Sequence, residues 1–308
     1  MQHLCKRALA STLASVLIAM CLPLSAAQPG QDTVLDVPGG KIDVAFPDDP
    51  MQPTSKDLLR WVRSAATAVS QYYGRFPVPH LTLRIRTDDR PGVRHGVTYP
   101  RYGGLIMISV GRNTSTDDLD DDWTLTHEMV HLAFPNMPDD QHWIEEGIST
   151  YVEPVARAQA GQLPAAAVWK EFARNMPQGQ PAYGDHGLNN THTWGRTYWG
   201  GALFCLVADV RIREKTHNRK GLQDALRAIS NSGGNITEDW EIEKTLTLGD
   251  KGTGTTVLRE LYGEMRDKPS PVDLDALWQK LGVELKGGNV IFNDNAVDAS
   301  IRKAITAH

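Results

Sequence analysis

Cysteine is scarce. The chain of 308 residues holds three, and Cys5 and Cys21 both fall within the first 27. With that segment removed, Cys205 alone remains and no internal disulfide can form. Such a fold rests on its core and on any metal it binds. Cys205 sits in an apolar helical stretch, where core packing is its expected role. An excess of basic charge is missing too. Lys and Arg number 32 against 37 Asp and Glu, a net charge of −5. That balance argues against a nucleic-acid partner and against an anionic membrane surface. The chain has no internal repeat and no low-complexity tract. After residue 27 no apolar run is long enough to span a bilayer.

What is present first is a leader pattern. Lys6 and Arg7 give a basic start, Ala8 to Leu24 is an apolar run, and Ser25-Ala26-Ala27 supplies small residues. This predicts a secretory signal peptide over residues 1–27, cleaved after Ala27, and a secreted or periplasmic protein. A membrane anchor is the alternative; Pro23 and the small residues favour cleavage. Met20 before Cys21 is too large for a lipid-attachment signal. Removing Lys6 and Arg7 leaves a net charge of −7.

The rest of the chain is organised around His127-Glu128-Met129-Val130-His131. On a helix, residues four apart share a face, so His127 and His131 would present two imidazoles to one zinc ion. Glu128 would stand beside it, placed to take a proton from a water that the metal activates. Thr124 to Phe134 is expected to be helical, with Pro135 stopping it. The acidic run 117–122 in front suits the positive end of its dipole. A solvated helix face is the bland alternative for such a short pattern. The segments downstream decide between the two.

Upstream of this stretch the sequence predicts strands. Val34 to Val37 and Ile42 to Phe46 flank Pro38-Gly39-Gly40 as a strand pair within an extension over 28–53. Asp57 to Tyr73 has helical spacing. Leu81 to Arg86 and Leu105 to Val110 read as strands, with Gly96 to Tyr99 as a short edge strand. Downstream the pattern is helical: Trp143 to Gln159, Ala165 to Asn175, Tyr198 to Arg213, Gly221 to Ile229, Thr255 to Met265, Leu274 to Leu281, and 298–306 after a short strand over Asn289 to Phe292. Gly249 to Thr256 reads as a flexible loop, with Thr253 or Thr255 capping the next helix. The fold class expected is α+β, an N-terminal mixed sheet and a C-terminal helical part, with the motif helix between them.

A catalytic zinc takes three protein ligands and leaves a position for water. Glu146, in Trp143-Ile144-Glu145-Glu146-Gly147, lies on a second helix fifteen residues beyond His131. A helical hairpin closing at Pro135 to Asp140 would bring it back beside the histidines. Glu145 is its competitor. H-E-x-x-H followed by W-x-x-E-G resembles the gluzincin zinc metallopeptidases of the aminopeptidase N type. Thr197-Tyr198-Trp199-Gly200-Gly201-Ala202 is similar to the tyrosine segment of that clan. Ala208 to Arg213, Leu222 to Arg227 and Leu277 to Gly282 resemble its glycyl aminopeptidase-like branch.

The resemblance implies a thermolysin-like catalytic domain over 54–308, of the peptidase MA-like kind. It makes His127, His131 and Glu146 the ligands of one Zn2+ per chain. Glu128 becomes the catalytic base and Tyr198 the oxyanion donor, with His192 as the rival donor. It implies an exported hydrolase of peptide bonds, with a peptide or protein as substrate. The segment His95 to Arg101 departs from the pattern, because it lacks the glutamate that grips a free amino group in aminopeptidases. That keeps endopeptidase action open, together with a non-catalytic envelope binding protein and an amidase of cell-wall amides. Thr150 and Glu153, on the expected face of Glu146, are candidates to orient a ligand histidine. Trp123, Trp143, Trp194 and Trp199 are expected to wall the cleft.

Overall fold

A computed structural model describes residues 32–308. The expected leader, 1–27, lies outside the described residues. Among the described residues no helix is long and apolar enough to cross a membrane.

The chain opens on β1 (Thr33–Val37) and β2 (Gly40–Ala45), an antiparallel pair joined at Pro38-Gly39. Helix α1 (Ser55–Tyr73) follows. Its start is fixed by a capping box, in which Thr54 accepts from the Asp57 N–H and Asp57 accepts from the Thr54 N–H. These bonds satisfy two of the orphan donors of a first helical turn. Leu58, Trp61, Val62, Ala65, Ala66 and Val69 form its buried stripe. The helix is the crossover that makes β2 and β3 (His80–Asp88) parallel neighbours.

From β3 the chain runs out to β4 (Val93–Tyr99) and returns through β5 (Leu105–Gly111), which lies parallel to β3 and antiparallel to β4. The sheet order is β1-β2-β3-β5-β4, so β4 is an edge. Leu81, Leu83 and Ile85 of β3, and Ile106, Ile108 and Val110 of β5, are buried. These are the alternate positions that a half-buried strand turns to its core.

The acidic run does not lead straight into the motif helix. It forms its own short helix, α2 (Thr116–Asp120), capped by Ser115 and Asp118. Then come α3 (Thr124–His131) and α4 (His142–Gln159), with Pro154 inside α4. Helix α5 (Ala165–Asn175) leads to a long loop and a π-helical turn over Gly195–Gly200. This turn runs into α6 (Gly201–Thr216), which is buried on nearly all sides. The remainder is α7 (Leu222–Asn231), α8 (Ile242–Thr253), α9 (Val257–Met265), α10 (Leu274–Leu281), the hairpin β6 (Val283–Lys286) and β7 (Asn289–Phe292), and α11 (Ala299–Ile305). The mixed α+β layout expected from the sequence is present.

Two expectations fail here. Residues 249–253 are not a flexible loop: they are the second half of α8. Their glycines are packing sites, since a Cβ on Gly252 would meet the Cβ of Ala228 on α7 at 2.3 Å. Neither Thr253 nor Thr255 caps the next helix by its side chain at N2 or N3. The buried Asp250 does so, accepting from the Leu258 N–H at 2.8 Å and from the Arg259 N–H at 3.3 Å. The motif helix is also shorter than expected. It ends at His131, and Leu132 to Phe134 close it with tighter bonds, including Ala133 N–H to Val130 C=O at 2.9 Å. Pro135 follows.

Helix α3 packs against α1, α4 and the edge strand β4. That position, at the end of the sheet and the start of the helical part, is where the candidate site lies.

Candidate metal centre and cleft

Helix α3 begins without a cap from its own N-cap residue Trp123. The Asp122 carboxylate supplies it, accepting from the N–H groups of Thr124 at 2.9 Å and Leu125 at 3.1 Å. The same carboxylate accepts from the Trp61 indole at 3.0 Å. Helix α1 thereby holds the start of the motif helix. His127 and His131 sit one turn apart, their Nε2 atoms 3.3 Å from each other.

Helix α4 returns beside α3 and turns Glu146 toward both rings. Its Oε2 is 3.2 Å from His127 Nε2 and 3.5 Å from His131 Nε2. One ligand atom from each of His127, His131 and Glu146 lies within 4.8 Å of the other two. All three side chains are nearly buried. Two imidazoles and one carboxylate, converging at this spacing, are a donor set that suits zinc. Glu145 points elsewhere: its carboxylate accepts from the Met137 N–H at 3.2 Å and contacts His142 Nδ1 at 2.9 Å. Of the two adjacent glutamates, Glu146 is the one brought to the histidines.

Burial alone would raise the Glu146 carboxyl's pKa, but bonds with His127, His131 and His142 hold it far below the usual carboxylate range. Burial would lower His131, yet the bond and charge of Glu146, with Glu128 and Glu145, raise it on balance. His142, passed over in the sequence, contacts Glu146 Oε1 at 3.2 Å through Nε2. Hydrogen bonds with Glu145 and then Glu146 push its pKa up to about 10. Its spacing of four from Glu146 on one helix was the available signal.

Why a glycine follows Glu146 is visible in the packing. A Cβ on Gly147 would lie 2.3 Å from the Gly201 Cα, and one on Gly201 would lie 2.2 Å from the Trp143 carbonyl oxygen. Helices α4 and α6 therefore cross backbone against backbone, just beyond the carboxylate. This crossing carries the π-helical turn, and Tyr198 on it, to the histidines. The Tyr198 ring stacks near His127, with centroids 6.4 Å apart, and against Trp194 at 5.6 Å. Burial, with Glu146 and Glu128 nearby, pushes its phenol up to about 12. The turn is anchored by the buried Arg196, which pairs with Asp185 at 2.7 Å. His192 is exposed on the loop and does not line the cleft.

Glu128 faces the edge strand. The Thr98 hydroxyl is 2.6 Å from Glu128 Oε2 and 2.9 Å from its backbone carbonyl. Residues 93–98 of β4, Glu128, both histidines, Glu146 and Tyr198 line one cleft of about 500 Å³. No residue from 95 to 101 carries a carboxylate.

Thr150 and Glu153 do not orient a histidine. Glu153 pairs with Arg157 at 2.9 Å, and the Thr150 hydroxyl has no hydrogen-bond partner. Trp123, Trp194 and Trp199 do wall a cavity, whereas Trp143 is core, ring against ring with Phe204 and Tyr262.

No protein-family model matches the sequence, and no curated protein matches it. Solved structures match the fold. An aminopeptidase N family protein from Idiomarina loihiensis superposes with a TM-score of 0.59 at 13% identity, over 83% of this chain and 50% of that one. A variant of a two-domain M1 zinc metallopeptidase, solved bound to L-arginine, gives a TM-score of 0.50 at 15% identity, over 79% of this chain and 54% of that one. The fold is thus the one found in aminopeptidase N family and M1 zinc metallopeptidase structures. The chain spans about half the length of these two proteins.

Proposed function

We propose that this protein is an exported zinc-dependent peptidase, secreted or periplasmic after loss of residues 1–27. His127, His131 and Glu146 would hold one zinc ion, and a peptide or protein would be the substrate. The observation that carries the reading is the convergence of those three ligand atoms within 4.8 Å, in a cleft that Glu128 also lines.

Zinc held there would polarise a carbonyl and make an adjacent water more acidic. The chain's own residues do the rest. Glu128 takes the proton of the attacking water and passes it to the leaving amine. Thr98 keeps that carboxylate aimed into the cleft. The Tyr198 hydroxyl, protonated at neutral pH with its pKa near 12, donates to the oxyanion that develops on the carbonyl oxygen. The edge strand β4 offers unpaired backbone groups to an extended peptide.

Metal analysis of the purified mature protein tests the zinc site. An equivalent of zinc that is lost in His131→Ala is expected. Less than about half an equivalent, with no change in that variant, overturns the reading. Abolition of peptide cleavage by Glu128→Gln, with zinc retained, tests the chemistry.

A finer reading follows from β4. With no carboxylate in 95–101, and both oxygens of Glu145 engaged, this part of the cleft has no free acid for an amino terminus. Internal cleavage is the mode this favours. N-acetylated peptides are then cleaved as well as free ones; strict dependence on a free amine would exclude it.

A further inference from the structure

Behind the ligands a second cavity of about 360 Å³ runs along α4, away from β4. It shares Trp123, His127 and Tyr198 with the cleft, so it opens onto the place where a scissile bond would lie. Thr150, Glu153 and Arg157 line it, the continuation of the α4 face that carries Glu146. Helix α5 closes the far side with Glu171.

Its lining is rich in carboxyls. Asp121, Glu153 and Glu171 share it with one cation, Arg157, and burial pushes the Glu153 carboxyl up to about 8 even beside that cation. Arg157 is already committed, donating to Glu153 at 2.9 Å and to the Asp120 carbonyl at 3.1 Å. Among the described residues Glu171 has no ion-pair or hydrogen-bond partner; Arg157 acts on it only at longer range. A partly buried carboxyl without a partner is harder to ionise than one in open water, and burial does push the pKa of Glu171 up. An entering cation would favour the ionised form. The entrance is aromatic, with Trp123, Trp194 and Tyr198 beside it. Such walls pack the apolar stem of a long side chain and attract a cationic head.

We propose that this cavity is the specificity pocket of the peptidase, and that it takes the lysine or arginine side chain of a residue flanking the scissile bond, with Glu171 as its counter-ion. The assignment rests on the peptidase reading for its meaning, but the pocket is testable by binding alone. A free α-amino group is the other source of the same charge, and the probes separate the two.

The test is calorimetric titration of the Glu128→Gln full-length mature protein with Nα-acetyl-arginine amide, Nα-acetyl-norleucine amide and norleucine amide. Nα-acetyl-arginine amide is expected to bind at least about tenfold more tightly than its norleucine counterpart, the equivalent of one added charge pairing. Adding Glu171→Gln should erase most of that difference and leave Nα-acetyl-norleucine amide binding unchanged. Glu171→Ala should do the same, which guards against a folding defect peculiar to one variant. Equal binding of the two acetylated probes overturns the proposal. So does an arginine preference that survives both Glu171 variants, or a preference for norleucine amide, which would give the pocket to an amino terminus. The binding does not require turnover. Absence of cleavage or of zinc in the wild type therefore counts against the peptidase reading and leaves the pocket result standing.

Discussion

Gly96 lies against Glu128. A Cβ placed on Gly96 would fall 2.6 Å from the Glu128 Cγ and 2.9 Å from its Cδ and Oε1. The edge strand thus touches the proposed base through a residue that has no side chain, and two residues on it holds the same carboxylate through Thr98. Changing Gly96→Ala must move either β4 or Glu128. We expect kcat/KM for peptide cleavage to fall by about 100-fold, since a displacement near 1 Å in a catalytic group has that effect. Zinc stoichiometry should not change, because no ligand is touched. A variant with wild-type kinetics would show that Glu128 is not held from this side.

Tyr198→Phe removes only a hydroxyl. If that hydroxyl donates to the oxyanion, kcat should fall by about 10²- to 10³-fold with KM nearly constant. Steady-state kinetics on the zinc-loaded variant separate this from a packing effect, which would raise KM or lower thermal stability instead.

Asp122 bridges the Trp61 indole and the first two donors of α3. Losing a helix cap costs about 0.5–2 kcal/mol, and the indole N–H would lose its partner as well. Asp122→Ala should therefore unfold at lower urea, by about 2 kcal/mol or more. Glu128 and the ligands are not contacted by Asp122, so residual activity per zinc-bound molecule should be retained. Chevron or equilibrium denaturation beside a zinc titration checks both parts.

Gly147→Ala places a methyl group where the Gly201 backbone already is, at 2.3 Å. Overpacking of this kind costs about 1–3 kcal/mol, and more where backbone must shift. The helix that moves carries Glu146, so zinc affinity should fall together with stability. Equilibrium dialysis against a zinc buffer and thermal unfolding are the paired measurements. Loss of stability without loss of affinity would mean that the crossing does not set the ligand position.

Zinc removal should destabilise the protein, because a metal that binds only the folded chain adds stability by mass action, about 4 kcal/mol at a thousand times its Kd. The unfolding midpoint should drop on chelation and return on adding zinc. In the His131→Ala variant it should respond to neither.

Much of this was legible in the sequence wherever one period dominates. The alternation of Leu81, Leu83 and Ile85, and the helical stripe of α1, appear where they were read. The convergence of His127, His131 and Glu146 into a group able to hold a metal was legible because the three lie close in sequence on one helical hairpin. What escaped depends on contacts between distant segments. Thr98 meets Glu128 across thirty positions, and nothing local to either marks the pair. Glycine propensity argued against a helix over 249–253, and close packing of α8 on α7 overrode it. The pentad of aspartates read as one dipole feature, whereas Asp118 caps α2 and Asp122 alone caps α3. The π-helical turn at Gly195–Gly200 has no periodic signature, although it is what presents Tyr198.

The crossing at Gly147 and Gly201 also bears on how such a protein can diversify. The carboxylate of Glu146 and the phenol of Tyr198 ride on two helices whose main chains touch, so no side chain spaces them. Substitutions at Thr150 on α4, or at Glu171 on α5, would then alter the lining of the second cavity without moving the crossing that sets Glu146 and Tyr198. The proposed selectivity and the proposed chemistry would in this sense be separately inheritable traits of one scaffold.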